Sequence, residues 1–256
     1  MNLFLAELRR VWTLFLRYPS EAIGEIFGIT LLFYGLFLGI GYVAGPGEQF
    51  GTRLETLVVG YVLWSLVIYA LSSLTWNLQN EAQMGTLEQI FLSPFGASRV
   101  IATRALAELV LNLGINAVIL VLILLLTGTQ LYFSAAVALP LSAALLGAYG
   151  LAFTVGGLVL LFKRAQQLVG MLQFLLVFLV MAPLETFTGA LPFLQWFLPI
   201  SPGAGLMREM MAQGQPLEAF SLGLAFLNGL IFLLLGLLVF RWAARRVRYL
   251  GSLGGY

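Results

Sequence analysis

Apolar positions along this chain run on in long stretches, and the polar residues collect between them rather than alternating with them. A bilayer core takes about 20 mostly apolar residues per helix. The long apolar, sparsely charged windows therefore predict six spans, at 22–44, 56–79, 99–126, 132–162, 165–184 and 219–240. Leu109 to Phe162 carries no charge and is long enough for two helices, with the turn between them expected at Thr127 to Gln130. One more uncharged window, 186–207, contains Pro192, Pro199, Pro202 and three glycines. Prolines interrupt a spanning helix, so short re-entrant pieces dipping into the outer leaflet are expected there, with Trp196 and Phe197 at interface depth.

The first 18 residues follow a helical period instead. Phe4, Leu8, Val11, Trp12 and Phe15 share one face, and Arg9, Arg10, Thr13 and Arg17 the other. That pattern predicts an amphipathic helix lying in the headgroup region and stopped at Tyr18-Pro19. Its expected further role is to brace the segment that follows the second span. Basic residues set the orientation, because cytoplasmic loops carry the excess of Lys and Arg. With six spans and both termini inside, only Arg53 and Arg208 fall outside. A seventh span would send Arg241, Arg245, Arg246 and Arg248 to the far side.

Composition sharpens this picture. The 256 residues are 61% hydrophobic and 9% charged, with a mean hydropathy of +0.98, whereas soluble domains are roughly 25% charged. The fold expected is a single all-α integral membrane domain over 1–256, in the cell's inner (plasma) membrane. The chain has no Cys or His, and it also lacks Asp; Lys163 is its only lysine. Thiol, metallo- and aspartyl chemistry are thereby removed, and an enzyme is not expected. The net charge of +2 is too small to suggest nucleic acid. No cleavage site for a leader peptide follows the charged N-terminal segment.

Between the second and third spans lies Asn80-Glu-Ala-Gln-Met-Gly-Thr-Leu-Glu-Gln-Ile-Phe-Leu-Ser-Pro94. Thr86 with Gln89 three positions on matches a capping box and predicts a helix start there. Gly85 permits a sharp change of direction before it. Pro94 ends the element after about two turns, and Ser98 is placed to cap the third span. Leu87, Ile90 and Phe91 share a face, fit for a partner's groove or for the membrane surface. The absence of Lys or Arg from Leu87 to Leu92 argues against the latter.

The pattern of Glu81, Gly85, Thr86, Leu87, Glu88, Ser93 and Pro94 resembles the signature of ABC-2 type permeases, the membrane subunits of ATP-driven exporters. The resemblance extends over the whole chain and implies that 81–94 is a coupling segment docking into a nucleotide-binding subunit. Glu81, Gly85, Thr86, Leu87, Glu88, Ile90, Phe91 and Pro94 then contact or shape that junction, with the two glutamates turned to basic groups on the partner. The chain holds no phosphate-binding loop of its own, so it carries no cofactor, and ATP and Mg are expected on a separate ABC ATPase. A second permease subunit is implied, a copy of this chain or a paralogue, with a homodimer favoured and spans 2 and 5 at the interface. The cargo expected is a drug-like molecule or lipid; a glycan exporter and an ion-coupled secondary carrier are the alternatives.

Polar residues inside the spans are the remaining candidates. Asn112 and Asn116, at i and i+4, read as interhelical hydrogen-bonding groups or as pathway residues. Gln166, Gln167 and Gln173 open the fifth span, and Gln173, Trp64 and Tyr69 are further pathway candidates. Glu25 is costly, since a charge at mid-membrane costs about 2.5–3.5 kcal/mol. It is expected to reach the interface or pair with an arginine such as Arg104, which is equally placed to pair with Glu108.

Overall fold

The computed structural model describes residues 3–44, 51–86, 89–90, 92–162, 166–184 and 191–249. All regular elements among them are helical: α1 (Leu3–Arg17), α2 (Pro19–Ala44), α3 (Gly51–Gln83), α4 (Ala97–Thr127), α5 (Ala138–Phe162), α6 (Gln166–Met181), α7 (Leu191–Leu194), α8 (Ser201–Met211) and α9 (Ala219–Tyr249), with short 3-10 turns at Ala135–Val137 and Gln195–Phe197. Five helices are long and apolar enough to cross a membrane: Pro19–Gly39, Arg53–Gln83, Ala97–Thr127, Ala135–Phe162 and Ala219–Val247. The six expected spans are therefore matched by five helices of spanning length and one shorter apolar helix. That helix is α6, with 16 residues, or roughly 24 Å at about 1.5 Å per residue.

α3 and α5 form the centre. In each, 67% of the apolar window is buried, against 17% for α2 and 22% for α9. The outer helices turn Phe27, Leu31, Leu125, Phe174 and Phe178 outward, each more than 70% exposed. So much contiguous apolar surface is stable only against lipid or another apolar surface. The chain is a multi-pass membrane protein.

Small residues bring α5 and α9 together. Ala143, Gly150 and Gly157 recur every seven residues on α5, and Gly229, Gly236 and Ala243 do so on α9. A Cβ on Gly236 would lie 2.0 Å from the Gly150 carbonyl oxygen, and one on Gly229 2.5 Å from that of Ala143. Gly157 meets Phe240 and Ala243. Because lipid gives apolar helices little reason to associate, such close backbone approach supplies the dispersion contact that holds them. The residues match in the same order along both helices, so α5 and α9 run parallel. The chain between them must return to the end where α5 began.

α6 makes that return beside α3, in the opposite direction. Gly60 near the start of α3 lies against Met181 and Val180 at the end of α6, while Gln173 donates to Ser72 at 2.8 Å. The C-terminal carbonyls of α6 lack helical partners and are taken up by α8. Arg208 donates to Val180 O at 2.6 Å and Ala182 O at 3.3 Å, and Ser201 Oγ donates to Leu179 O at 3.0 Å. The expected short helical pieces are present as α7, the turn at Gln195–Phe197 and α8; residues 185–190 lie outside the described ones. Between them Ile200 has φ 72°, and Ser201 N donates to Pro199 O at 2.8 Å, making a tight γ-turn. A β-branched residue there is strained, and Ile200 is held by burial against Gly147.

Candidate functional site

The connection between α3 and α4 is stopped at both ends by glycine. α3 runs on past the expected boundary to Gln83, so Glu81 is helical. Thr86 N then donates to Glu81 O at 3.0 Å and Gly85 N to Ala82 O at 3.3 Å. Those two bonds, with Gly85 at φ 70°, form a Schellman stop, which needs a left-handed residue at that position. The direction change expected of Gly85 is there. At the other end Ser93-Pro94-Phe95-Gly96 is a turn closed by Gly96 N to Ser93 O at 3.0 Å. Gly96, φ 80°, is the residue before the first turn of α4. Ser98 therefore falls inside α4 rather than capping it, because the turn delivers the chain into the helix two residues earlier than expected.

Thr86 behaves differently from a capping-box residue. Its hydroxyl turns back and donates to the Glu81 carboxylate, while Gln89 N reaches the Thr86 carbonyl oxygen at 3.0 Å. Leu87, Glu88 and Phe91 lie outside the described residues. Ile90, expected on the docking face, is half-buried against the bundle, beside Ile101 and Arg104. Among the described residues of the connection, Met84, Leu92 and Phe95 are the apolar side chains turned outward, 76%, 83% and 53% exposed. Sequence reasoning missed them because they fall on the two turns, outside the helical period on which a docking face was sought.

A ladder of ion pairs ties this connection to α1. Arg104 Nη1 is 2.8 Å from Glu81 Oε1, and Arg104 Nε is 3.7 Å from Glu7. Glu7 also meets Arg10 at 2.9 Å, and Arg10 reaches Glu108 at 3.5 Å. Glu108 accepts from Asn77 at 3.0 Å and from Ser73. Arg10, expected to face the headgroups, thus reaches inward to α4. Arg104 pairs with Glu81 and Glu7 rather than with Glu25 or Glu108, since its long side chain points along α4 toward the end of α3. The Glu81 carboxylate, expected to meet a partner, is engaged within the chain. Glu7 of the first helix, expected to brace this segment, shares Arg104 with Glu81.

Deeper in the bundle a second polar string crosses three helices. Asn112 donates to Glu25 at 3.3 Å, Asn116 donates to Asn112 Oδ1 at 2.8 Å, and Ser65 donates to Asn116. Asn112 and Asn116 are 0% and 2% exposed, so of their two readings the structure favours interhelical hydrogen bonding. Trp64 packs at a tilt on Tyr61, with ring centroids 5.3 Å apart, at the junction of two apolar clusters.

Tyr69 and Gln173 lie elsewhere. Both line a cavity of about 640 Å³ walled by α1, α2, α3, α4 and α6. Its volume falls in the ~300–1,000 Å³ range of small-molecule sites. The structure thus brings two of the five pathway candidates to the cavity and places Trp64, Asn112 and Asn116 in the packed interior. The side chains of Gln166 and Gln167 are outside those described. Trp76, Phe15 and Tyr18 also line the cavity; sequence reading missed them because the walls come from helices far apart in the chain. Among the described residues, no group of three or more His, Cys, Asp or Glu is arranged to hold a metal ion. No protein-family model matches the chain, and no curated protein matches it.

Proposed function

We propose that the chain is the permease subunit of an ATP-driven exporter, moved by a separate ATPase that grips the connection between α3 and α4. The observation that carries this reading is mechanical. The Schellman stop at Gly85 and the turn at Gly96 set the connection off from both helices, while the Arg104–Glu81 pair fastens its root to the bundle. Force applied at Met84, Leu92 and Phe95 would pass into α3 and α4 rather than into a loose loop. Exposed apolar side chains at such a position favour a protein partner over water.

In this reading α6 is a sixth crossing. Its antiparallel course beside α3, and the parallel course of α5 and α9, support that count. Six crossings put both termini on one side. Arg9, Arg10 and Arg17 on α1, Arg99 and Arg104 near the start of α4, and Arg241, Arg245 and Arg246 near the end of α9 fall on the side of the α3–α4 connection, and Arg53 and Arg208 on the other. This distribution supports a cytoplasmic connection and outer-leaflet α7 and α8, in the plasma membrane. Two copies of the chain complete the exporter, with ATP and Mg held on the ATPase subunits, and its cargo is a drug-like molecule or lipid. A glycan exporter is the alternative reading.

The test is reconstitution with an ABC ATPase that co-purifies with this chain. Wild-type vesicles should transport a lipophilic cargo while ATP lasts and in the presence of a proton ionophore. Glu88→Arg should insert normally but lose cargo-stimulated ATP hydrolysis. Transport by the chain alone, without an ATPase, would overturn the reading.

A further inference from the structure

The charges around the 640 Å³ cavity are unequal. Among the described residues one arginine, Arg10, faces three glutamates, Glu21, Glu25 and Glu108. Arg10 is already committed to Glu108 and Glu7, and Glu108 is further held by Asn77 and Ser73. Glu25 is different. It accepts a hydrogen bond from Asn112 at 3.3 Å, and among the described residues no Lys or Arg pairs with it. Asn112 is fully buried, with Asn116 and Ser65 behind it, so the Glu25 carboxylate is held in place from the far side and presents its remaining acceptor capacity to the cavity.

The walls suit the same kind of guest. Phe15, Tyr18, Tyr69 and Trp76 line the cavity, and an aromatic face attracts a cation positioned over it. We propose that this cavity binds an amphipathic organic cation, an ammonium or phosphonium with an apolar body, with Glu25 as its counter-charge and the aromatic walls around its apolar part. The proposal deepens the export reading by naming its substrate class. It rests on that reading for transport, whereas binding needs no ATPase. The cation's source is either a free amphipath or the amine of a lipid headgroup.

The test uses the purified full-length chain in maltoside micelles and measures binding of radiolabelled tetraphenylphosphonium by equilibrium dialysis against empty micelles. Saturable binding is expected, weakened about tenfold or more in Glu25→Gln through loss of the opposing charge and retained in Glu25→Asp. Tetraphenylborate, of the same shape and opposite charge, should bind at least tenfold more weakly to wild type. That comparison decides the matter even if Glu25→Gln does not fold. Equal affinity for the two ions, equal binding by wild type and a folded Glu25→Gln, or no saturable binding each overturns the site. Displacement by short-chain phosphatidylethanolamine but not phosphatidylglycerol assigns the cation to a lipid headgroup. Absence of displacement assigns it to a free amphipath, and either result supports the cation chemistry. A chain that binds the cation but exports nothing with its ATPase sinks the export reading and leaves the site standing.

Discussion

Arg104 and Glu81 lie 2.8 Å apart, joining the first turns of α4 to the last turn of α3 across the connection between them. Both side chains are largely buried, at 14% and 22% exposure, and the arginine is shared with Glu7 of α1. Three helices therefore meet on one guanidinium. Arg104→Met should lower stability by about 1.5–3 kcal/mol, the range for a lost hydrogen bond to a charged group, read from thermal unfolding in detergent. In a double-mutant cycle with Glu81→Gln, the two changes should fall well short of additive. Full additivity would show that the pair contributes nothing.

Gly85 tests the stop itself. Nothing lies within 4 Å of where its Cβ would be, so any cost of substitution is a cost of the left-handed backbone alone. Gly85→Val should lose about 1–2 kcal/mol. Gly85→Asn should lose less, because asparagine adopts that conformation more readily. Equal losses in unfolding experiments would mean that the positive φ is not what matters.

The exposed turn residues carry the partner contact in the proposed reading. Leu92→Asp should leave unfolding unchanged and weaken ATPase binding by about tenfold, equivalent to about 1.4 kcal/mol, measured by titrating the ATPase into nanodiscs. Unchanged affinity in both Leu92→Asp and Phe95→Asp would place the partner elsewhere.

The α5–α9 contact predicts opposite outcomes at two glycines of one helix. Gly236→Ala drives a methyl group into the Gly150 backbone and should cost about 1–3 kcal/mol. Gly223, with nothing within 4 Å, should be neutral to Ala or stabilised by about 0.4–1 kcal/mol. Thermal unfolding of the two variants side by side is the measurement.

Asn116 separates packing from pathway. Asn116→Leu should cost about 0.6–1.7 kcal/mol through loss of interhelical hydrogen bonds, with transport per folded molecule unchanged. A stable variant with impaired transport would return Asn116 to the pathway.

Much of this was legible in the linear chain. Span length, the breaks at Gly85 and Pro94, and the interruption of 186–207 are each written in contiguous residues, because hydropathy and backbone preference act locally. The amphipathic first helix was legible for the same reason. Ion pairing was not. Glu7, Glu81, Glu25 and Glu108 are alike as partners for Arg104 by residue type; the sequence offered Glu25 and Glu108 equally, and Arg104 meets Glu81 and Glu7 instead. Which carboxylate an arginine meets depends on how α1 and α3 lie against α4.

The sequence by itself determined that this is an all-helical protein of the membrane, with a polar connection set between glycine and proline breaks. Tertiary structure decided that Ile90 faces inward while Met84, Leu92 and Phe95 face out, that α5 and α9 run parallel in glycine register, and that a cavity opens among five helices with Glu25 on its wall. The physical reason is that faces of Leu, Val and Phe are nearly interchangeable as helix partners. Only close backbone approach and the placing of a few buried polar groups choose among them, and those are relations between residues far apart in the chain.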